Sequence, residues 1–399
     1  MKNILEFFRK DDIGEPPWNY YFLQNLDEKE YPKYLAKTFN YRTGEKLPLF
    51  NGVIDKKRCK TFNQKIQWIK LYGVTDLMRK CTDKVAVRDY VKEKIGEEYL
   101  KPVLQIIPSC HSENLENQNV NLVDFQVVQN LKEEKSKKSQ QACCHTELVS
   151  LSNVQEEKML KHACINDEIQ NEKINKTAVQ HDRTLSVLPP NVINKNDVST
   201  YFDKINWDKL PNSFVIKCNH GCKWQYIIKN KEFYLQNKRL FELVKKNITG
   251  WLEQDYSLWN GFELQYKRIE PKILIEPLMR DDLNKFSPEI MVFCWQGQPK
   301  YVVKMHNQHQ VSIYDNNLNP TKDVTKTAEN NLFYEADKIL HQTFDLSRGL
   351  SKEFKFVRTD WIIYQGKPYL QELTFTPYSG FMTFKNKEYD IKFGAWIAL

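Results

Sequence analysis

Between Gln105 and Asp197 the chain holds no Gly, no Trp, no Tyr and a single Phe, Phe125. These 93 residues leave all 13 glycines and 50 of the 51 aromatic residues to the other 306. They carry 10 Lys/Arg against 13 Asp/Glu, so a net +8 for the whole chain becomes −3 here and +11 elsewhere. Tracts such as LKEEKSKKSQQ and INDEIQNEKINKTAVQ offer few large apolar groups to offset the entropy of ordering the backbone. The composition predicts a flexible or loosely helical insertion over 108–197. It divides an N-terminal region, 1–107, from an aromatic-rich basic region, 198–399. A chain of 399 residues would otherwise suggest two or three ordinary domains.

The insertion also holds four of the nine cysteines and four of the eight histidines: Cys110, His111, Cys143, Cys144, His145, His162, Cys164 and His181. Thiolates and imidazoles suit zinc, but the gaps between them do not match the paired C-x2-C spacing of a structural site. The odd cysteine count without a disulfide framework points to a reducing, cytoplasmic setting. No stretch approaches the roughly 18–20 consecutive apolar residues of a membrane span. The opening MKNILEFFRKDD turns charged too early for a signal peptide. The positive balance allows anionic partners, although the lysines are dispersed and do not form the massed patch of a nucleic-acid binder.

Aromatic and charged residues alternate without a clear period over the first sixty residues, which predicts short helices. TFNQKIQWIKLYG carries Phe62, Ile66, Ile69 and Leu71 near helical spacing, and TDKVAVRDYVKEKIG carries Val87, Val91 and Ile95. Thr82 or Asp83 would cap the second helix, and Gly73 and Gly96 would end the two. KPVLQII reads as a buried strand. Beyond the insertion the pattern predicts a hairpin around CNHGCKW, a helix near 240–253 and strands near 272–278, 290–295 and 300–305. A helix near 332–343, a hairpin over FVRTDWIIYQGKPYLQELTF and a helix at 391–399 complete it. Strands, helices and hairpins in this order define an α+β fold, and neither GxGxxG nor GxxxxGK[ST] occurs.

The last hairpin is the most informative feature. Asp360 and Glu372 are equidistant from Gly366, so pairing about that turn sets them opposite on one face, with Cβ atoms roughly 4.5–5.5 Å apart. Arg358 and Thr374 share the face. Paired carboxylates repel unless a proton or cation lies between them, and hard oxygen ligands suit Mg²⁺ held jointly with substrate phosphates. The plain alternative is a solvated face of mixed charge. Lys217 closes the apolar FVIK before a glycine-containing loop, where a lysine and backbone N–H groups can meet phosphate. Glu276 interrupts the apolar ILIEPLM and could accept from an adenine amino group or a ribose hydroxyl. Lys84 falls in the first turn of its expected helix, a poor place for a cation unless an anion lies nearby.

In chain order, Lys84, Lys217, Glu276 and the Asp360/Glu372 hairpin resemble the nucleotide site of the ATP-grasp superfamily. The words KTFNQKIQWIKLYG, DKVAVRDYVKEKIGEEYLKP, FDKINWDKLPNSFVIKCNHG and FVRTDWIIYQGKPYLQELTF, with the later YSGF and EYD, closely resemble the TupA-like ATP-grasp family. The likeness covers about 58–107 and 198–399. It implies an ATP-grasp fold, two α+β subdomains gripping ATP, behind a helical N-terminal region. It also implies ATP and Mg²⁺ as cofactors. Lys84 and Lys217 would contact phosphates, with Asn219, His220 and Gly221 in the covering loop. Glu276 would sit beside adenine and Glu289 near the ribose. Asp360, Glu372 and Thr374 would hold Mg²⁺, and Arg358 with Lys217 would face the transferred phosphoryl group. Thr374 stands where such ligases usually carry Asn, and HGCKW lacks the usual second small residue.

The implied reaction joins a carboxylate to an amine through an acyl phosphate, releasing ADP and phosphate, within capsular polysaccharide or teichuronopeptide biosynthesis. A uronic acid or glutamyl end would supply the carboxylate, and an amino acid or amino sugar the amine. Peripheral association with capsule-assembly machinery would follow. A competing expectation is a glycosyltransferase, whose metal motif would have to be RDD at 280–282 or YDNN at 314–317. Another is a non-catalytic ATP-binding scaffold.

Overall fold

A computed structural model describes residues 23–107, 200–259, 261–280, 287–307, 309–325 and 330–399. The chain divides into two units, Met1–Glu113 with Ile193–Leu399, and Asn114–Val192; the described residues all belong to the first. The cysteines and histidines considered above as a zinc set lie outside the described residues.

Helix α1 (Tyr31–Thr43) has Pro32 in its first turn and ends at Gly44, whose φ of 69° supplies the left-handed cap. A small hairpin, β1 (Leu49–Phe50) and β2 (Val53–Ile54), follows where only short helices were expected. Its turn is Asn51-Gly52, both at positive φ, the pair that a two-residue hairpin turn requires. Helix α2 (Phe62–Tyr72) starts at a capping box between Thr61 and Gln64 and buries Phe62, Ile66 and Ile69. It buries Gln67 and Lys70 as well.

Helix α3 (Asp76–Thr82) is capped by Thr75. The next helix, α4 (Val87–Ile95), begins later than expected, with Ala86 at its N-cap. Asp83 accepts from Val85 N at 2.8 Å, and Lys84 N donates to Asn219 O at 3.2 Å. The turn is thereby tied to another segment, and Lys84 lies ahead of the helix, not in its first turn. Strand β3 (Gln105–Ile107) is shorter and more exposed than predicted, with only Ile107 buried.

Strands β4 (Phe214–Cys218) and β5 (Gln225–Ile228) form the expected hairpin. After α5 (Lys231–Gln236) and α6 (Lys238–Leu252), β6 (Ile273–Pro277) completes an antiparallel sheet of order β3-β6-β4-β5. Helix α6 buries Val244, Ile248 and Leu252, a four-residue repeat, in one cluster with Phe214, Ile216, Ile273 and Ile275 of the sheet.

The second sheet contains β7 (Glu289–Trp295), β8 (Gln298–Met305), β9 (Gln310–Tyr314), β10 (Pro320–Thr321) and β11 (Asn330–Asn331). Helix α7 (Lys338–Ser351) follows, then β12 (Val357–Tyr364) and β13 (Lys367–Thr374). The order is β10-β9-β8-β7-β12-β13, with β11 parallel to β9. Helix α7 starts six residues after the sequence pattern placed it, because the Asp337 side chain caps it by accepting from Leu340 N. The last helix, α8 (Lys387–Ala395), is capped by Asn386 and also begins before its expected start at 391.

Helices α2 and α8 join the core of this large sheet. A β-carbon at Gly394 would lie 2.3 Å from Lys60 O, so only glycine permits the close crossing. Trp361 is fully buried, with its indole N–H shared between Ser347 Oγ at 3.1 Å and Thr359 Oγ1 at 3.0 Å. Among the described residues no helix is long and apolar enough to cross a membrane.

Candidate functional site

Lys217 lies on β4 opposite Leu274 of β6, and Val215 pairs with Glu276. The Lys217 ammonium is 2.5 Å from Glu276 Oε2, and the same oxygen takes Lys101 Nζ at 2.9 Å. All three side chains are less than a tenth exposed. Burial alone would raise the Glu276 carboxyl; Lys101 first and Lys217 second outweigh it and hold it at about 2. Burial pulls the Lys217 ammonium down, and Glu276 opposes that pull. Arg88 donates to Lys101 O at 2.9 Å. Lys84, Arg88, Lys101, Lys217, Glu276 and Glu372 line one cavity, with Leu100, Leu370 and Gln371 among its walls. Four cations face two carboxylates there, and the surplus suits a polyanion.

The loop after β4 is folded onto the protein. Lys84 Nζ donates to Gly221 O, which ties the turn before α4 to the loop. Asn219 donates to Asp83 Oδ1 at 2.9 Å and to Glu270 O at 3.0 Å, and accepts from Lys272 N at 2.6 Å. Its side chain is thus committed to the scaffold. His220 is buried, donates from Nε2 to Trp251 O at 3.2 Å and meets the Trp224 ring edge-on at 5.2 Å. Burial, then Lys84, lowers His220 to about 4, so the imidazole is neutral at pH 7. A β-carbon at Gly221 would lie 2.3 Å from the Trp224 ring. Asn219 and His220, expected to contact nucleotide, instead brace the loop.

The β12–β13 hairpin places Asp360 opposite Glu372 and Arg358 opposite Thr374. The route to this register differs from the symmetric one. The turn is Gln365-Gly366, with φ of 50° and 72°, and Tyr364 faces Lys367. An unbroken ladder from that turn would put Asp360 against Gln371. A bulge between Asp360 and Trp361 leaves Gln371 unpaired and moves Glu372 into place. Gln371 Nε2 reaches Glu289 Oε1 at 3.4 Å.

Arg358 grips Asp360 with two bonds, Nε to Oδ1 and Nη2 to Oδ2, both 2.6 Å. Thr374 Oγ1 is 3.0 Å from Asp360 Oδ2 and 2.8 Å from Glu372 Oε1. The guanidinium is thus bound to Asp360, and the Thr374 hydroxyl touches both carboxylates. Burial raises Asp360 to about 6, and Arg358 opposes the rise. For Glu372 burial acts upward too, but Lys84 and then Arg358 bring it below the ordinary carboxylate range. Burial and the neighbouring Asp360 raise Glu289, which starts β7 opposite Ile362.

Among the described residues no three His, Cys, Asp or Glu side chains gather as a metal cluster. The hairpin offers two carboxylates and one hydroxyl, all hard oxygen donors. That set fits Mg²⁺, which commonly takes one or two protein carboxylates and completes its shell with water and phosphate. YDNN serves as a turn between β9 and β10: Asp315 Oδ1 accepts from Asn317 N at 2.8 Å and Asn319 N at 2.9 Å. RDD falls partly outside the described residues.

Sequence reasoning missed Arg88, Lys101 and Gln371. Lys101 stands just before Pro102, after GEEYL, and nothing local distinguishes it from a linker lysine. Arg88 is four residues after Lys84, a spacing that could have drawn attention to it.

A cationic cavity under a loop-bearing hairpin, bounded by a carboxylate hairpin from a second sheet, is the ATP-grasp arrangement, and the fold class is ATP-grasp. The sequence matches the family TupA-like ATPgrasp over residues 190–398, more than half of the chain, and the protein belongs to that family. No curated protein matches the chain. Similar solved structures include D-alanine–D-alanine ligase from Bacillus anthracis complexed with ATP. It is 14% identical over 45% of this chain and 51% of that one, with a TM-score of 0.24. The Helicobacter pylori D-alanine–D-alanine ligase is 12% identical over 52% and 54%, with a TM-score of 0.27. D-cycloserine synthetase DcsG is 12% identical over 51% and 60%, with a TM-score of 0.27. The alignments span roughly half the length of these proteins.

Proposed function

We propose that the protein is an ATP-dependent carboxylate–amine ligase that works on cell-surface polysaccharide in the cytoplasm. The observation that carries this reading is the convergence of Lys84, Arg88, Lys101 and Lys217 on one cavity that Glu372 also lines. Family membership supports the nucleotide; the capsule or teichuronopeptide setting is what the family resemblance implies. The N-terminal region, the 108–197 insertion and the 198–399 grasp region remain our division of the chain.

In this reading the carboxylate substrate accepts the γ-phosphoryl group of ATP to form an acyl phosphate. The amine attacks its carbonyl carbon and phosphate leaves, giving an amide, ADP and phosphate. Lys217 and Lys84 bind triphosphate oxygens, Glu276 orients the base and Glu289 the ribose. Asp360, Glu372 and Thr374 would hold Mg²⁺, which supplies charge neutralisation to the phosphates when bound. Arg358 exchanges part of its contact with Asp360 for the oxygens of the group in flight. Phosphoryl transfer passes through a loose transition state, so fixed cations and correct placement supply most of the acceleration. Leu100 and Leu370 are apolar parts of the cavity wall and would help keep water from the acyl phosphate. The substrates are an acidic saccharide or glutamyl carboxylate and an amine.

The test is amine-dependent ADP release with ATP, Mg²⁺ and a panel of uronic-acid or glutamyl acceptors, beside Glu372→Gln. Activity lost in the variant supports the ligase. Release of UDP from a UDP-sugar in its place would establish a glycosyltransferase, and ATP binding without turnover on the panel would favour a scaffold.

A further inference from the structure

Lys101 is the unassigned member of the site. It precedes β3, and its segment is fastened to β6: Leu104 N donates to Ile275 O at 2.8 Å, and Gln105 pairs with Ile275, the residue before Glu276. Arg88 fixes the Lys101 carbonyl oxygen from the other side at 2.9 Å. Lys101 and Glu276 are therefore held on neighbouring, directly bonded segments. Lys217 reaches the same Oε2 from β4, one residue before the strand ends at the loop.

A single buried carboxylate with two lysines on one oxygen has more cation than it needs. If Lys217 moves to a phosphate, a carboxylate with no other partner would be left buried and uncompensated, a strongly unfavourable state. With Lys101 in place it would not. Resting on the ligase reading, we infer that Lys101 is a positioning residue that keeps Glu276 paired while Lys217 transfers to the nucleotide. Lys101 itself makes no phosphate contact in this exchange. Its effect on ATP is indirect, through Glu276 and the freedom of Lys217. Arg88 serves the same end by holding the Lys101 backbone.

A double-mutant cycle on the full chain tests this. ATP dissociation constants are measured calorimetrically for the wild type, Lys101→Met, Lys101→Arg, Glu276→Gln and Lys101→Met/Glu276→Gln. The expected result is at least tenfold weaker ATP binding in Lys101→Met, because Glu276 then retains Lys217. Lys101→Arg recovers most of the loss. Once Glu276 is neutral the lysine has nothing to hold, so the double variant binds ATP within about twofold of Glu276→Gln alone. An equal penalty for Lys101→Met in both backgrounds would show a direct phosphate contact and overturn the exchange. Unchanged binding in Lys101→Met would overturn it too. If Lys101→Met fails to fold, Lys101→Gln, whose neutral amide can still donate to Glu276, replaces it in both backgrounds, and the same two comparisons decide. Failure of the wild type to bind ATP would remove the ligase reading and the exchange with it. Binding in the wild type with a background-independent penalty would remove the exchange alone.

Discussion

Replacing Arg358 with Met isolates what holds the carboxylate hairpin together. The guanidinium makes two 2.6 Å bonds to Asp360, and the two side chains are 12% and 11% exposed. Without it, Asp360 and Glu372 share one neutral hydroxyl, Thr374 Oγ1. Two unit charges in close contact, about 4 Å apart, repel by about 4 kcal/mol at an effective dielectric constant of about 20. Removal of one partner of a buried pair costs about 3–5 kcal/mol in general. At about 2 °C per kcal/mol for a body of this size, the melting temperature falls by about 6–10 °C in EDTA. Two further signs follow. Arg358 opposes the rise of Asp360, so without it Asp360 takes its proton above the value of about 6 it has in the intact site; protonation relieves the repulsion, and the deficit shrinks as pH falls toward about 6. Added Mg²⁺ replaces the missing cation, and each tenfold of concentration above its dissociation constant returns about 1.4 kcal/mol. The assay is thermal unfolding by circular dichroism in EDTA and in MgCl₂, at pH 7.5 and 5.5. A variant melting within 2 °C of wild type in EDTA, or one indifferent to Mg²⁺, would refute the reasoning.

Three other outcomes are expected. Gly221→Ala drives a methyl group into the Trp224 ring, so the loop shifts; stability drops by about 1–3 kcal/mol, visible in urea unfolding, and ATP titration shows weaker binding. His220 has a folded value near 4, below its ordinary value near 6.5. The unfolded chain therefore takes up the proton first, and stability is lost as pH falls from about 6.5 to 4, by up to about 3 kcal/mol. His220→Gln removes that slope, which parallel denaturant titrations at pH 7, 5.5 and 4.5 measure as a shrinking gap between variant and wild type. Gly394→Ala forces α8 away from α2 at Lys60 O and lowers the melting temperature by several degrees, while direct ATP binding, read by calorimetry, is unchanged.

Elements whose signal is local were readable in the chain. The stripe Phe62–Ile66–Ile69 and the closing Gly73 located α2, and Gly96 marked the end of α4; the Thr61 capping box came only with the structure. Where tertiary contacts took over, boundaries moved. Asp337 outcompeted the apolar residues before it as the start of α7, and the tie from Lys84 N to Asn219 O held the turn before α4 out of the helix. The pairing of Asp360 with Glu372 was read from a symmetric turn, yet it arises from a two-residue turn plus a bulge. These two offsets cancel, and a one-dimensional count cannot separate them. Lys101 and Gln371 escaped because their roles depend on partners far along the sequence. The family resemblance assigned Asn219 and His220 to a nucleotide-covering loop. It could not show that both side chains face inward.

The bulge at Gln371 splits the hairpin into two pairing frames. From Tyr364↔Lys367 to Trp361↔Leu370 the tip obeys one frame, and from Asp360↔Glu372 to Arg358↔Thr374 the base obeys another. The base is fixed independently by β7, where Met291 faces Asp360 and Phe293 faces Arg358. Changes of length or sequence at the tip therefore stop at the bulge. The outer half of the hairpin is territory that evolution, or a designer grafting a recognition loop, can rewrite while the carboxylates keep their address.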